Sequence, residues 1–184
     1  MERSEAEEVV VATRTWLERA VIGLNLCPFA KAVHVKAQVH YAVSGAAQPE
    51  QLLDDLSREL EALLACDAAQ RDTTLLMAPH CLADFLDFND FLARAQRLLA
   101  RSGLDGEVQL ASFHPHYQFA DAGPDDITNF TNRSPYPTLH LLREASIDRA
   151  VQAFPHAGAI YETNMETMRR LGPGGWSALG LPWR

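Results

Sequence analysis

The sequence has little of what marks several large protein classes. Its three cysteines are an odd number, without the paired spacing of a zinc site or the density of a disulfide framework. No run approaches the roughly 18 apolar residues of a membrane span, and the acidic N-terminus lacks the apolar segment of a secretory signal. We therefore expect a soluble, cytoplasmic protein with reduced thiols.

Positive charge is also scarce. The chain has 16 Lys and Arg against 24 Asp and Glu, and its formal net charge is −8. Phosphate backbones and anionic membrane surfaces attract a basic footprint that this chain lacks. We expect neither a nucleic acid nor a membrane as its partner.

What is present fits one domain. The chain has 184 residues and no interior linker or repeat, so we expect a single domain over 1–184. Residues 172–184 form a tail rich in Gly, Pro and Trp. We expect Trp176 and Trp183 to pack this tail onto the domain or to contact another subunit, which would make an oligomer.

Periodicity predicts alternating helices and strands. A capping box, Ser4 with Glu7, begins the first helix, and Pro49 begins the second. Val33 to Val43 alternates with period two, which predicts a strand near a sheet edge with one wet face. The other expected elements are strands T-T-L-L-M-A-P, E-V-Q-L-A-S-F and T-L-H-L-L-R, and helices over 84–101, 146–154 and 159–171.

This order predicts an α/β (or α+β) fold in a single layered domain. An N-terminal helix precedes β-α-β-α-β, a long loop follows, and β-α and a terminal helix complete the chain. Connections longer than about 12–15 residues are uncommon in compact domains unless they bind something, cover a site or are disordered. The aromatic and proline content of the loop argues against disorder, so we expect a functional loop.

The second half of the loop is rich in hydrogen-bond donors. A guanidinium with amide and hydroxyl donors can hold a carboxylate or phosphate, which predicts binding of an anionic small molecule. The alternative is a loop that satisfies its own backbone through Asn and Ser side chains, with its arginine paired to a local Asp. The candidate ligand-binding residues are Asn129, Asn132, Arg133, Ser134, Tyr136, His140 and Arg143.

Two residues are candidates for catalysis. His114 would be a general acid or base, and Cys27 a nucleophile or redox thiol if the fold brings it close to His114. Cys27 follows the first helix, gains nothing there from a helix N-terminus, and has the alternative role of a buried small hydrophobe. We assign no metal; a site built by His114, His116 and a nearby carboxylate is the weaker alternative.

Four segments resemble the bacterial family called domain of unknown function 1415. They are T-W-L-E-R-A-V-I-G-L-N-L-C-P-F-A, D-F-N-D-F-L, Q-L-A-S-F-H-P and N-F-T-N-R-S-P-Y-P-T-L-H-L-L-R-E-A-S, and the resemblance covers about residues 10 to 171. It implies no activity. It does imply that these positions match those that define the family pattern: Cys27, Pro28, His114, Asn129, Asn132, Arg133, Ser134, Pro135, Tyr136, His140, Arg143 and Glu144.

Three functions follow as hypotheses. The first is a small cytoplasmic enzyme acting on an anionic small molecule through the loop and a Cys–His pair. The second is a non-catalytic module that binds a metabolite or a partner. The third is a metal-dependent oxidase or hydrolase using His114, His116 and His140. The sequence identifies no cofactor.

Overall fold

A computed structural model describes residues 4–153 and 157–182. It contains one four-stranded sheet with helices interleaved between the strands. The α-helices are α1 (Glu5–Trp16), α2 (Ala30–Val35), α3 (Pro49–Ala65), α4 (Phe85–Arg101), α5 (Glu144–Ala153) and α6 (Ile160–Ala178). The strands are β1 (Val39–Val43), β2 (Thr73–Met77), β3 (Val108–Phe113) and β4 (Thr138–Arg143). The predicted α/β class is confirmed.

The first helix begins and continues for local reasons. Ser4 and Glu7 form the predicted capping box, which satisfies donors at the start of α1. The chain then passes into a π-helix, Leu17–Ile22. Its last turn closes at Gly23, where an added Cβ would lie 2.3 Å from the carbonyl oxygen of Arg19. Only glycine fits this backbone contact without a shift.

The strand predicted over 33–43 is wrong in its first half. Residues 30–35 form α2, and only 39–43 form β1. Ala37 has a left-handed backbone (φ 56), and the Gln38 N–H donates to the Val33 carbonyl at 2.9 Å, which closes the helix. The alternation of the sequence therefore continues across a short helix and a strand, and it does not mark where one ends and the other begins.

The sheet order is β1-β2-β4-β3. β1 pairs with β2 in parallel, and β4 lies antiparallel between β2 and β3. β1 therefore lies at an edge, as predicted. The last strand of the chain occupies an interior position.

One face of the sheet, which we call the first face, carries the main core. α3 and α4 pack on it, and Leu52, Leu56 and Phe88 are fully buried there. Each such side chain contributes about 1.5–3 kcal/mol through burial. This face is closed by apolar packing.

The second face is covered by α1, the π-helix and the C-terminal part of the chain. Trp16, Met168 and Trp176 are buried in this cluster, so Trp176 packs onto the domain. α6 breaks at Gly172 (φ 63), where the sequence predicted its end, but helical residues continue to Ala178. Phe154, the predicted end of the preceding helix, and Trp183 lie outside the described residues.

In the described part of the chain, no helix is long and apolar enough to cross a membrane.

Candidate functional site

The second face of the sheet contains a cavity of about 740 Å³, which we call the main cavity. Its floor is formed by β2, β3 and β4, through residues that include Leu75, Phe113 and His140. The π-helix, the 27–33 segment and α5 form its walls. No residue of α2 or α5 is buried, so both helices cover the space without filling it.

Most of the lining is apolar. Trp16 and Phe113 meet edge to face with ring centroids 5.1 Å apart, and both line the main cavity. Leu17 and Val21 of the π-helix and Ile147 of α5 add aliphatic surface. Pockets for small molecules are concave, mostly apolar and on the order of 300–1,000 Å³, and π-helical turns recur at functional sites. The main cavity has the size and the lining of such a pocket.

His140 is the imidazole of the cavity floor. Its Nε2 lies 2.7 Å from Thr73 Oγ1, and Thr73 Oγ1 donates to the Leu141 carbonyl at 2.7 Å. A hydroxyl has one proton, so Thr73 accepts from His140, and Nε2 carries the ring proton. Nδ1 then has a lone pair, and no described residue hydrogen-bonds to it.

Burial also determines the charge of His140. It lowers the pKa of the imidazole from 6.5 to about 4, because the charged form loses its hydration. The ring is therefore neutral at pH 7. It offers the main cavity a hydrogen-bond acceptor and no charge.

Cys27 lines the same cavity. The sequence placed it after the first helix, and the structure also places it just before α2. Burial raises the pKa of the Cys27 thiol, and the N–H groups of Phe29 and Ala30 offset this only in part. The thiol is therefore protonated at neutral pH, which does not favour a nucleophile.

The charged residues of the lining oppose the charge of the whole chain. Lys36, Arg143 and Arg149 line the main cavity, and Asp72 is the single carboxylate among the described lining residues. Lys36 is exposed and forms no ion pair with any residue in 4–153 or 157–182. The Asp72 carboxylate accepts a hydrogen bond from Ser146 at 2.6 Å. In a chain of net charge −8, this is a cationic surface.

His114 does not join this site. It is fully buried beside Phe85 and Phe88, with ring centroids 5.4 and 5.0 Å away, on the α4 side of the sheet. Its Nε2 lies 3.0 Å from the Leu82 carbonyl, and its Nδ1 accepts from the His116 N–H at 3.0 Å. Burial lowers the pKa of His114. Cys27 and His114 thus lie on opposite faces of the sheet, and the proposed pair does not form.

The polar residues of the long loop bond the loop itself. Asn129 is fully buried, accepts from the Phe119 N–H at 3.0 Å and donates to the Gly123 carbonyl at 2.7 Å. Ser134, also fully buried, donates to the Tyr136 carbonyl at 2.6 Å. Asn132 donates to the Ser112 carbonyl at 3.5 Å, and Thr131 donates to the Thr128 carbonyl at 2.9 Å. These contacts hold a short 3₁₀ helix, Ile127–Asn132, against the sheet edge.

Arg133 is bonded in the same way. Its Nε donates to the Tyr117 carbonyl at 3.2 Å, and its Nη2 donates to the Pro124 carbonyl at 2.8 Å. The guanidinium also lies over the Phe130 ring, 4.1 Å from the centroid. Burial lowers the pKa of Arg133, and nearby Asp125 opposes this. The side chain joins three parts of the loop.

Arg143 and Tyr136 have different surroundings. Arg143 Nη2 donates to the carbonyls of Leu63, Cys66 and Arg71 at 2.5, 2.7 and 3.1 Å, around the C-terminal end of α3, and the residue also lines the main cavity. Tyr136 packs near Val9 and lines a second cavity of about 340 Å³. Of the nine candidate residues, the main cavity brings together Cys27, His140 and Arg143.

Metal-binding geometry was also a sequence-based alternative. Among residues 4–153 and 157–182, no group of three or more His, Cys, Asp or Glu is arranged to hold a metal ion. The rings of His114 and His116 are 5.9 Å apart, and both nitrogens of His114 have backbone partners.

Sequence reasoning missed Thr73, Lys36 and Arg149. Thr73 had a signal, because it is a polar residue that opens an otherwise apolar strand. Its importance depends on the sheet register, which pairs Leu75 with His140 and so places Thr73, two residues before Leu75, on the same face and diagonally opposite His140. Lys36 was assigned to a strand, and the α2 helix places it at the main cavity instead.

The comparisons with known proteins identify a family. The sequence model of the family "Protein of unknown function (DUF1415)" matches residues 8–178, almost the whole chain. The chain belongs to this family. Searches of curated proteins and of solved structures found no match.

Proposed function

We propose that this member of the DUF1415 family binds a small organic acid in the main cavity. One observation carries the proposal: three cationic side chains and a single carboxylate line an apolar cavity in an acidic chain. An apolar body would fill the space beside Trp16 and Phe113. The anionic group would lie near Lys36 and Arg149, which are exposed at its outer side.

The ligand is still an anionic small molecule, as expected from the sequence, but its site is the main cavity and not the long loop. The donors of Asn129, Ser134 and Arg133 already have partners within the loop. Lys36 has no partner acid among the described residues, so an anion there replaces water and displaces no protein group.

The test is thermal unfolding with matched ligands. We expect octanoate, benzoate or 3-phenylpropanoate to raise Tm, and the corresponding neutral amides to raise it less, because a ligand that binds only the folded state stabilises it. Lys36→Met should weaken acid binding about two- to fivefold, the range of an exposed ion pair. Lys31→Met is the control, because Lys31 is an exposed lysine of α2, five residues before Lys36, and does not line the main cavity. Equal binding of acids and amides would refute an anionic site.

A second candidate is an enzyme that acts on the bound acid. His140 supports it, because its tautomer is defined and its Nδ1 is available as a proton acceptor in the cavity that Cys27 also lines. With a pKa of about 4, the imidazole is a weak base, which makes binding the better supported function. In an enzyme, His140→Gln would abolish turnover and leave acid affinity largely unchanged; Cys27→Ser would separate the role of the thiol.

We also propose a location, the bacterial cytoplasm. All three cysteines are free, which suits a reducing compartment, and the family resemblance supports a bacterial source. Cell fractionation tests this proposal.

A further inference from the structure

The acceptor on the cavity floor has a consequence for the ligand. Nε2 of His140 is protonated because the single proton of Thr73 Oγ1 goes to the Leu141 carbonyl. Nδ1 therefore presents a lone pair on the cavity side of β4, with Phe113 beside the ring at a centroid distance of 6.0 Å. Among the described residues, no donor satisfies it.

A wholly apolar ligand would suit this floor poorly. Filling the space next to Nδ1 with carbon atoms would remove water from the lone pair and leave a buried acceptor without a partner, which costs free energy. A ligand hydroxyl would replace that water. The imidazole is neutral at pH 7, so it accepts a hydrogen bond without attracting the ligand's anionic group.

We propose that the ligand is a hydroxylated organic acid whose hydroxyl donates to Nδ1 of His140 while its anionic group lies near Lys36 and Arg149. This rests on the proposed function and names its substrate class. The two ends of the site lie on different elements, since His140 is on an interior strand, Lys36 directly follows α2 and Arg149 is on α5. The site thus recognises an acid that has a donor at the end remote from its charge.

The experiment is isothermal titration with four related acids. The probes are 3-phenylpropanoate and its ortho-, meta- and para-hydroxyl derivatives, with the methyl ether of the best derivative as a matched compound that lacks the donor. We expect at least one hydroxy acid to bind about ten- to hundredfold more tightly than both 3-phenylpropanoate and the ether. His140→Phe should remove that advantage and keep the affinity for 3-phenylpropanoate.

A second measurement uses the wild-type protein, so its result does not depend on whether His140→Phe folds. The ¹⁵N resonance of His140 Nδ1 should move when the hydroxy acid is added and stay when the ether is added. If all the acids bind with similar affinity, or if the advantage persists in His140→Phe, the hydroxyl assignment is overturned and the organic-acid site stands. If no acid binds, the proposed function itself fails and this inference fails with it.

Discussion

At the scale of single residues, His114 and His140 have different surroundings: His114 is fully buried, and His140 is partly buried at the main cavity. Both nitrogens of His114 have backbone partners, whereas His140 has one partner and one available nitrogen. The sequence presents the two as similar residues at the end or middle of an apolar strand. Only the hydrogen-bond partners separate a histidine that supports the fold from one that faces a cavity.

The first prediction concerns the effect of His140 on the stability of the folded protein in acid. Its pKa is about 4 in the folded protein and 6.5 in its ordinary state, so the unfolded chain binds the proton more tightly between these values. Stability is therefore unaffected by this group above pH 6.5 and falls as the pH decreases toward 4, by about 3 kcal/mol in total. We expect the free energy of unfolding in urea to follow this course.

His140→Gln is the matched variant, because glutamine can still bond Thr73 but does not titrate. Burial also lowers the pKa of His40 and His114, so both proteins lose stability in acid. The difference between the two curves isolates His140. Parallel curves from pH 7 to 4 would show that its pKa is not depressed.

The second prediction concerns Arg133. Arg133→Ala removes two hydrogen bonds to loop carbonyls and the contact with Phe130, and should cost about 1–2 kcal/mol because the side chain is partly exposed. Amide exchange in residues 117–126 should increase, and organic-acid binding should stay unchanged. Arg58→Ala, at an exposed helical pair, is the control. If Arg133→Ala weakens acid binding without loss of stability, the prediction is wrong and the anion binds at the loop.

At the scale of elements, the π-helix depends on Gly23. Gly23→Ala places a Cβ 2.3 Å from the Arg19 carbonyl oxygen, so the turn must shift, at a cost of about 1–3 kcal/mol. Leu17 and Val21 would move with it, and acid binding in the main cavity should weaken. Gly45→Ala is the control, since an added Cβ there meets nothing within 4 Å. Urea unfolding and titration measure both effects; equal stability of the two variants would show that the π turn adapts freely.

Long elements with a clear stripe could be predicted from the sequence, and short ones could not. α3 and α4 have apolar residues at helical spacing and defined starts at Pro49 and Asp84, so the pattern was sufficient. α2 has six residues and none of them is buried, so it has no apolar stripe from which a helix could be predicted. For the site, Asn129 and Arg133 are residue types that suit either an anion or a loop backbone, and only tertiary contacts distinguish the two roles.

At the scale of the molecule, the two faces of the sheet have different packing. The first face is filled by α3 and α4, and the second face contains the main cavity. Leu56→Ala on the first face should cost about 2–5 kcal/mol and leave acid affinity unchanged at a temperature where the variant is folded. Ala111→Leu on the cavity floor should abolish acid binding, because the larger side chain fills part of the main cavity. Its free energy of unfolding should be unchanged or up to about 2 kcal/mol higher.

Urea unfolding and titration of both variants test this division. The comparison is informative because the two substitutions change opposite sides of one sheet. Loss of acid binding in Leu56→Ala together with its retention in Ala111→Leu would place the ligand elsewhere.

The position of β4 also determines the order in which the protein can be built. β4 lies between β2 and β3, and Thr73 contacts Leu141 from 68 positions away in the chain. During synthesis, β1 and β2 can pair early, but β3 has no neighbouring strand until residues 138–143 leave the ribosome. The nascent chain therefore exposes unpaired strand edges until late. His140 arrives on that last strand, so a chain that ends before β4 cannot display the site.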